Sequence, residues 1–226
     1  MLRLPFLKYF LYLSYHWNIR IAWHMTMNDL AGEKKYNINT TGIDELKQLE
    51  KKGIDISHAT IYMPASYDLL EFFFEKSAVH KKRHFLDVGC GKGRALCVAA
   101  AYGVPKVSGV EFSKALLTDA KKNLVNISNF HKVLYTLKND DAFYFEIPED
   151  VDCIFLFNPF DELIMSGFVT NLKTSLQINP RKITIIYFNP LQKHLLVEAG
   201  FSQTFHLQKL QYLEGIILPL TQHFCL

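Results

Sequence analysis

Apolar and polar positions along the chain fall into two repeating patterns. Short runs rich in Val, Ile, Leu and Phe, such as Val151–Phe157, are typical of strands that are buried on both faces. Longer segments whose apolar residues recur every three or four positions are typical of helices with one buried face. Their alternation predicts an α/β domain with a mostly parallel sheet. The predicted strands are residues 85–88, 106–112, 133–137, 151–157, 182–188, 201–208 and 212–220, and the predicted helices are residues 66–74, 95–102, 113–127, 161–178 and 191–199.

The first predicted strand runs directly into a glycine-rich turn, Asp87–Arg94 (DVGCGKGR). Glycine permits positive φ and close approach of a ligand to the backbone, and the helix that follows begins with unpaired N–H groups. A turn of this kind at the end of a strand predicts a site for a nucleotide-like ligand. An acid directly before the glycines favours a ligand that carries an ammonium group. The glycines are Gly89, Gly91 and Gly93.

The spacing of these glycines disfavours two common nucleotide-binding loops. A dinucleotide-binding loop would need its third glycine at the position of Arg94. A phosphate-binding P-loop would need Ser or Thr directly after its Gly-Lys pair, where this chain has Gly93. The carboxylate of Asp87 would also repel a pyrophosphate. A nicotinamide-dependent dehydrogenase is therefore disfavoured.

Four motifs, in order along the chain, resemble those of the class I S-adenosylmethionine-dependent methyltransferases. They are the glycine-rich turn, then Gly109–Ser113, Asp141–Phe143 and Asn158–Phe160, which stand at the ends of successive predicted strands, and the resemblance covers about residues 62–190. It implies a doubly wound, seven-stranded, mostly parallel sheet of the Rossmann-like type, whose last strand is antiparallel. It also implies S-adenosylmethionine as cofactor and S-adenosylhomocysteine as product.

The resemblance further implies which residues bind the cofactor. Glu111 would accept hydrogen bonds from both ribose hydroxyls, Phe112 would flank the adenine, and Asp141 would bind the adenine amino group, with Asp140 as the alternative. Tyr62 belongs to the motif Tyr-x-Pro-Ala-Ser, which resembles that of the protein-lysine methyltransferases of the ATP synthase c-ring. Tyr62 is therefore predicted to line the cofactor pocket, and a role in packing alone is the alternative. The predicted cofactor-binding residues are Tyr62, Asp87, Gly89, Gly91, Gly93, Glu111, Phe112, Asp141 and Ala142.

The motif Asn158-Pro159-Phe160 stands where members of this class present groups to the methyl acceptor. The resemblance implies that the amide oxygen of Asn158 holds an acceptor N–H and that the ring of Phe160 lies against the cation that forms. One proline stands where the nucleic-acid and glutamine methyltransferases have two. Together with the lack of a strong general base in this motif, this favours a nitrogen acceptor, a protein lysine or a small-molecule amine. The predicted catalytic residues are Asn158, Pro159 and Phe160.

Two alternatives remain open at this point. The first is an RNA or DNA base methyltransferase, which the acceptor motif suggests and which the mild net charge of +3 does not favour. The second is a catalytically silent cofactor-binding module that docks on a partner through its N-terminal segment.

Residues 1–61 are predicted to be a helical extension or lid, and residues 62–226 a methyltransferase domain. Residues 1–27 read as one aromatic, basic helix, whose longest uncharged run, Tyr9–Ile19, falls short of the ~20 residues that span a bilayer. We expect this helix to pack on the domain, with peripheral contact to a membrane surface as the alternative. Residues 28–39 are polar and predict a linker or mobile loop. The expected location is the cytoplasm.

The cysteines and histidines predict no metal site. Cys90, Cys97, Cys153 and Cys225 form no C-x-x-C pair, and no histidine pair with ligand spacing lies near them. They read as reduced thiols. Cys90 in the glycine-rich turn is interpreted as a small apolar filler rather than a nucleophile.

Overall fold

The structure is a computed structural model that describes residues 4–42, 64–157, 160–209 and 213–220. Its strands are β1 (His84–Val88), β2 (Lys106–Val110), β3 (Leu134–Lys138), β4 (Cys153–Phe157), β5 (Thr184–Phe188), β6 (Phe205–Lys209) and β7 (Leu213–Pro219). Its α-helices are α1 (Leu4–His16), α2 (Ile19–Tyr36), α3 (Tyr67–Lys76), α4 (Arg94–Ala101), α5 (Lys114–Ser128), α6 (Glu162–Ile178) and α7 (Lys193–Glu198).

All seven strands form one sheet in the order β3-β2-β1-β4-β5-β7-β6. The five strands from β3 to β5 in this order are parallel, whereas β7 runs antiparallel to both β5 and β6. The predicted seven-stranded, mostly parallel, doubly wound sheet is therefore confirmed. Val88 pairs with both Val110 and Leu156, so β1, β2 and β4 end at the same level. The turns after these three strands lie at one edge of the sheet.

The sheet is buried on both faces because successive side chains of a strand point to opposite sides. On one face, Phe85 and Phe155 join a core with residues of α3, α4 and α5. On the other face, Leu86 and Leu156 join a second core with residues of α6 and α7. This explains why the central strands are apolar at nearly every position instead of alternating.

The N-terminal segment forms two helices rather than the one that was predicted. Trp17 and Asn18 separate α1 from α2, and the side chain of Asn18 accepts a hydrogen bond from the Ile21 N–H at 2.9 Å, which caps α2. The two helices enclose a small apolar core of their own. This core contains Tyr9, Leu13, Ala22 and Met25. None of the described helices combines the length and the hydropathy needed to cross a bilayer.

The predicted linker over residues 28–39 is wrong, because α2 continues to Tyr36. Its polar residues are not solvated: Asp29 and Glu33 are buried. Gly32 lies so close to Tyr67 that any Cβ at this position would overlap the ring. The predicted boundary between residues 61 and 62 lies outside the described residues, so the division into two parts stays a prediction.

Candidate active site

The glycine-rich turn after β1 is tightly folded against the end of β2. Gly89, Gly91 and Gly93 have φ values of 77°, 52° and 78°, in the left-handed region that favours glycine. The N–H groups of Gly89 and Cys90 both donate to the Val110 carbonyl, at 2.9 and 3.0 Å. Helix α4 begins at Arg94, directly after this turn. The start of a helix therefore lies at the edge of the sheet where β1 ends.

Glu111 lies one residue beyond β2 and is buried beneath the turn. One carboxylate oxygen accepts the Gly91 N–H at 2.9 Å, and the other accepts the Ser113 N–H at 2.9 Å. These contacts hold the carboxylate between the glycine-rich turn and the start of α5. The structure thus brings the predicted ribose-binding acid and the predicted glycines together.

Asp87, where the glycine-rich turn begins, is a second buried acid. It lies in β1, where it pairs with Gly109 of β2 and Phe155 of β4. Burial and, to a lesser degree, the charge of Glu111 raise the pKa of Asp87 well above its ordinary value. Two acids that converge in this way favour a cationic group over an anionic one. That an ammonium-bearing ligand, and not a pyrophosphate, binds here stays a prediction.

The turn after β3 is tied to the end of β2 by Asn139. Its side-chain amide donates to the carbonyl of Glu111 at 2.9 Å and to that of Phe112 at 2.7 Å. The turn that carries Asp141 and Ala142 therefore begins beside Glu111. Asn139 was not predicted as a site residue, although an amide next to the two candidate adenine-binding acids was a signal in the sequence.

Asp140 and Asp141 are both exposed and shape their own turn. The Asp140 carboxylate accepts the Asp141 N–H, and the Asp141 carboxylate accepts the Phe143 N–H, each at 2.9 Å. Ala142, which follows them in the sequence, is buried. Asp141 as the adenine-binding residue stays a prediction, with Asp140 as the alternative.

The acceptor motif follows β4 in the sequence, and the structure describes its last residue, Phe160. Phe160 is half-buried and packs against the core that includes Leu86 and Leu156. Asp161 caps α6 by accepting the Ile164 N–H at 3.1 Å. Tyr62, Asn158 and Pro159 lie outside the described residues, so their roles stay predictions.

Arg94 has a role that sequence reasoning missed, since it was noticed only as the residue that replaces a glycine. Its guanidinium is buried and pairs with Asp29 of α2 at 2.7 Å. It also donates to the Ala65 carbonyl at 2.7 Å and to the Thr40 hydroxyl at 2.7 Å, and it lies 4.1 Å from the ring centre of Tyr67. One side chain at the start of α4 therefore anchors three segments of the chain.

Asn123 of α5 provides a second link between the N-terminal segment and the glycine-rich turn. Its amide oxygen accepts the Asn39 N–H at 2.9 Å, and its amide nitrogen donates to the carbonyls of Asn39 and Lys92 at 3.0 and 2.9 Å. Asn123 lies at helical spacing from the apolar residues Leu116, Ala120 and Ile127, and a polar residue on that side was a signal in the sequence. The segment that follows α2 is thereby held against the turn.

Cys90 lies in the turn without the properties of a nucleophile. It is buried, and burial, with the nearby charges of Asp87 and Glu111, raises the pKa of its thiol well above the ordinary value. A thiol with a raised pKa forms little of the reactive thiolate. The interpretation of Cys90 as an apolar filler agrees with this environment.

Comparisons with known proteins agree with this geometry. Residues 85–176 match the family model described as a methyltransferase domain, and a search of curated proteins finds no match. Many solved structures share this fold, and three of them illustrate it. One is a ribosomal protein L11 methylase from Lactobacillus delbrueckii subsp. bulgaricus, with 18% identity, a TM-score of 0.52, and coverage of 66% of this chain and 75% of that chain. Another is an RNA methyltransferase from Salinibacter ruber in complex with S-adenosyl-L-homocysteine, with 14% identity, a TM-score of 0.54, and coverage of 72% of this chain and 97% of that chain. The third is a SAM-dependent methyltransferase from Aquifex aeolicus, with 15% identity, a TM-score of 0.52, and coverage of 79% of this chain and 100% of that chain. At these identities the structural likeness shows the shared fold alone.

Proposed function

We propose that the chain, whose residues 85–176 match a methyltransferase domain, transfers the methyl group of S-adenosylmethionine to a nitrogen atom. The proposed acceptor is an amine, either a protein lysine or a small-molecule amine. The observation that carries this proposal is the position of the Asn158–Phe160 motif directly after β4, whose end is level with the glycine-rich turn.

The residues around the turn fit the cofactor. The buried acids Asp87 and Glu111 suit an ammonium group and a ribose diol respectively, since a carboxylate accepts two hydrogen bonds from adjacent hydroxyls. Gly89 is exposed, so a ligand can approach the backbone of the turn at this residue. Phe112, Asp141 and Ala142 complete the proposed adenine side. The cofactor supplies a methyl group on a sulfonium, whose leaving group is a neutral thioether.

The residues of the chain then have to align the acceptor and to exclude water. The Asn158 amide oxygen accepts an N–H of the neutral amine and orients its lone pair. The ring of Phe160 stabilises the positive charge that appears on the nitrogen when the N–C bond forms. The proton that the product ammonium loses passes to water, so the acceptor motif needs no strong base.

Cofactor binding is expected to release a proton from Asp87. Burial and the charge of Glu111 raise the pKa of this carboxyl in the free protein, and a bound ammonium group would lower it again. Affinity should therefore rise with pH through the pKa of Asp87 in the free protein and be weaker below it. Isothermal titration in two buffers of different ionisation enthalpy measures the proton. Asp87→Asn should release none at the same pH, and an equal release from both proteins would contradict this role.

Replacing Asn158 with alanine is expected to reduce methyl transfer about 100-fold, because an acceptor that is poorly aligned reacts more slowly. Affinity for the cofactor should change little, since the amide is assigned to the acceptor alone. The exposed Asn126 of α5 offers a matched control, and Asn126→Ala should keep full activity. Loss of cofactor binding in Asn158→Ala would contradict the assignment.

The acceptor class can be found by supplying labelled S-adenosylmethionine to a cell extract separated into protein, nucleic-acid and metabolite fractions. We expect label in the protein or metabolite fraction, and we expect prior acylation of amines to abolish it. Label that nuclease removes would instead support an RNA or DNA base acceptor. Intact cofactor binding without transfer to any fraction would support the silent binding module.

A further inference from the structure

We propose that α1 and the first turns of α2 form a surface that binds the face of an anionic phospholipid bilayer. This proposal is independent of the methyl acceptor. It concerns one continuous apolar surface, which we term the N-terminal face. Its residues are Leu7, Leu11, Tyr15, Ile19 and Trp23.

The residues of the N-terminal face recur at intervals of four, so within each helix they share one side. Their exposed fractions are 47% for Leu7, 57% for Leu11, 86% for Tyr15, 66% for Ile19 and 59% for Trp23. The ring of Phe10, beside Leu11, makes an edge contact with Trp23, with 6.4 Å between ring centres. This contact joins the exposed side of α1 to that of α2. A contiguous exposed apolar patch of this kind marks an interaction site.

The buried sides of the same two helices explain why the N-terminal face is left outside. Tyr9 and Leu13 of α1 pack on Ala22 and Met25 of α2, and these four side chains are almost fully buried. The helix pair therefore satisfies its own core without the residues of the N-terminal face. The packing on the domain that is expected from the sequence therefore involves residues of the N-terminal segment that do not belong to the N-terminal face.

Charge selects an anionic lipid surface as the partner. Residues 1–28 contain Arg3, Lys8 and Arg20 and no Asp or Glu. Lys8 and Arg20 are exposed beside the N-terminal face. A carboxylate oxygen of Asp68 lies 3.7 Å from Nε2 of His24. A second copy of the chain would bring like charges together, whereas anionic headgroups would neutralise them. Tyr and Trp with flanking cations are favoured at the boundary between headgroups and acyl chains.

The N-terminal face is connected to the candidate active site through α2. Trp23 and Asp29 lie six residues apart on this helix, about 9 Å at its rise per residue. Asp29 pairs with Arg94 at the end of the glycine-rich turn. A protein bound through this face would therefore hold its active site close to the bilayer.

Vesicle flotation of the full chain tests the proposal. Wild-type protein should float with phosphatidylcholine vesicles that contain phosphatidylglycerol, float poorly with phosphatidylcholine alone, and dissociate as salt is raised. Leu11→Glu and Trp23→Glu should each reduce vesicle affinity at least about tenfold, and Lys8→Glu about fivefold or more. Phe130→Glu, a change at an equally exposed aromatic of another region, should have no effect.

Size-exclusion chromatography and cofactor titration accompany flotation, so that misfolded variants are recognised. Two outcomes would overturn the proposal. One is a wild-type protein that does not float with the anionic vesicles. The other is a wild-type dimer that Leu11→Glu converts to a monomer with no change in flotation, since the face would then bind a second copy.

Discussion

Replacing Arg94 with methionine is expected to lower the free energy of unfolding by about 3–5 kcal/mol, the usual cost of removing one partner of a buried ion pair. Asp29 would keep its charge in a buried site, and the donors to Thr40 and to the Ala65 carbonyl would be lost. Burial already raises the pKa of Asp29, and Arg94 opposes that rise. Without the guanidinium the pKa should rise further. Chemical denaturation followed by circular dichroism measures the loss.

The pH dependence of this loss has a definite sign. An acid whose pKa is raised in the folded state makes its full contribution to stability at pH values below the pKa of an unfolded aspartate, about 3.9. It loses that contribution as the pH rises through the pKa of the folded state. Arg94→Met should therefore be more severely destabilised at neutral pH than in acid. The double variant Arg94→Met/Asp29→Asn should recover part of the stability, because the unpaired charge is gone.

Arg83 provides the matched control for Arg94. Its side chain is 79% exposed and lies 3.6 Å from Asp152. Exposed pairs contribute about 0–1 kcal/mol, so Arg83→Met should leave stability nearly unchanged. An equal loss in both variants, or no recovery in the double variant, would contradict the anchoring role of Arg94.

Replacing Glu111 with glutamine is expected to weaken S-adenosylmethionine binding roughly 100-fold, because hydrogen bonds to a charged group contribute about 1.5–3 kcal/mol each. The variant would lose the charge proposed to hold the ribose hydroxyls. It would also present an amide nitrogen toward either the Gly91 or the Ser113 N–H, so the turn itself would be less well ordered. Isothermal titration at neutral pH measures the affinity, and thermal unfolding confirms that the variant is folded.

Asp119→Asn makes the same change of charge at a partly exposed position of α5, where Asp119 pairs with Lys122. Its affinity for the cofactor should remain that of the wild type. A folded Glu111→Gln that binds as tightly as this control would show that Glu111 does not hold the cofactor.

The sheet could be predicted because its signals are local. The strand Cys153–Phe157 is apolar throughout, as burial on two faces requires, and the three glycines of the turn adopt the φ values that only glycine adopts readily. The seven strands and the antiparallel last strand followed from the resemblance. Because β1 and β2 end at the same edge of the sheet, this topology also brings Glu111 and the glycines together.

The N-terminal segment could not be predicted in the same way, because its polar residues find tertiary partners that local sequence patterns do not reveal. Asp29 and Glu33 look like residues of a solvated linker until Arg94 and Thr40 are seen to bind them. Gly32 looks like a helix breaker until the ring of Tyr67 is seen against it. These pairs are set by tertiary packing, which overrides the local preference for a loop.

Isothermal titration of the wild-type protein with S-adenosylmethionine and S-adenosylhomocysteine tests the central claim most directly. We expect saturable binding of one molecule of either compound per chain, and no binding of reduced nicotinamide dinucleotide under the same conditions. A protein that is folded and binds neither compound would contradict the assignment, and the glycine-rich turn would then be a plain connection between β1 and α4.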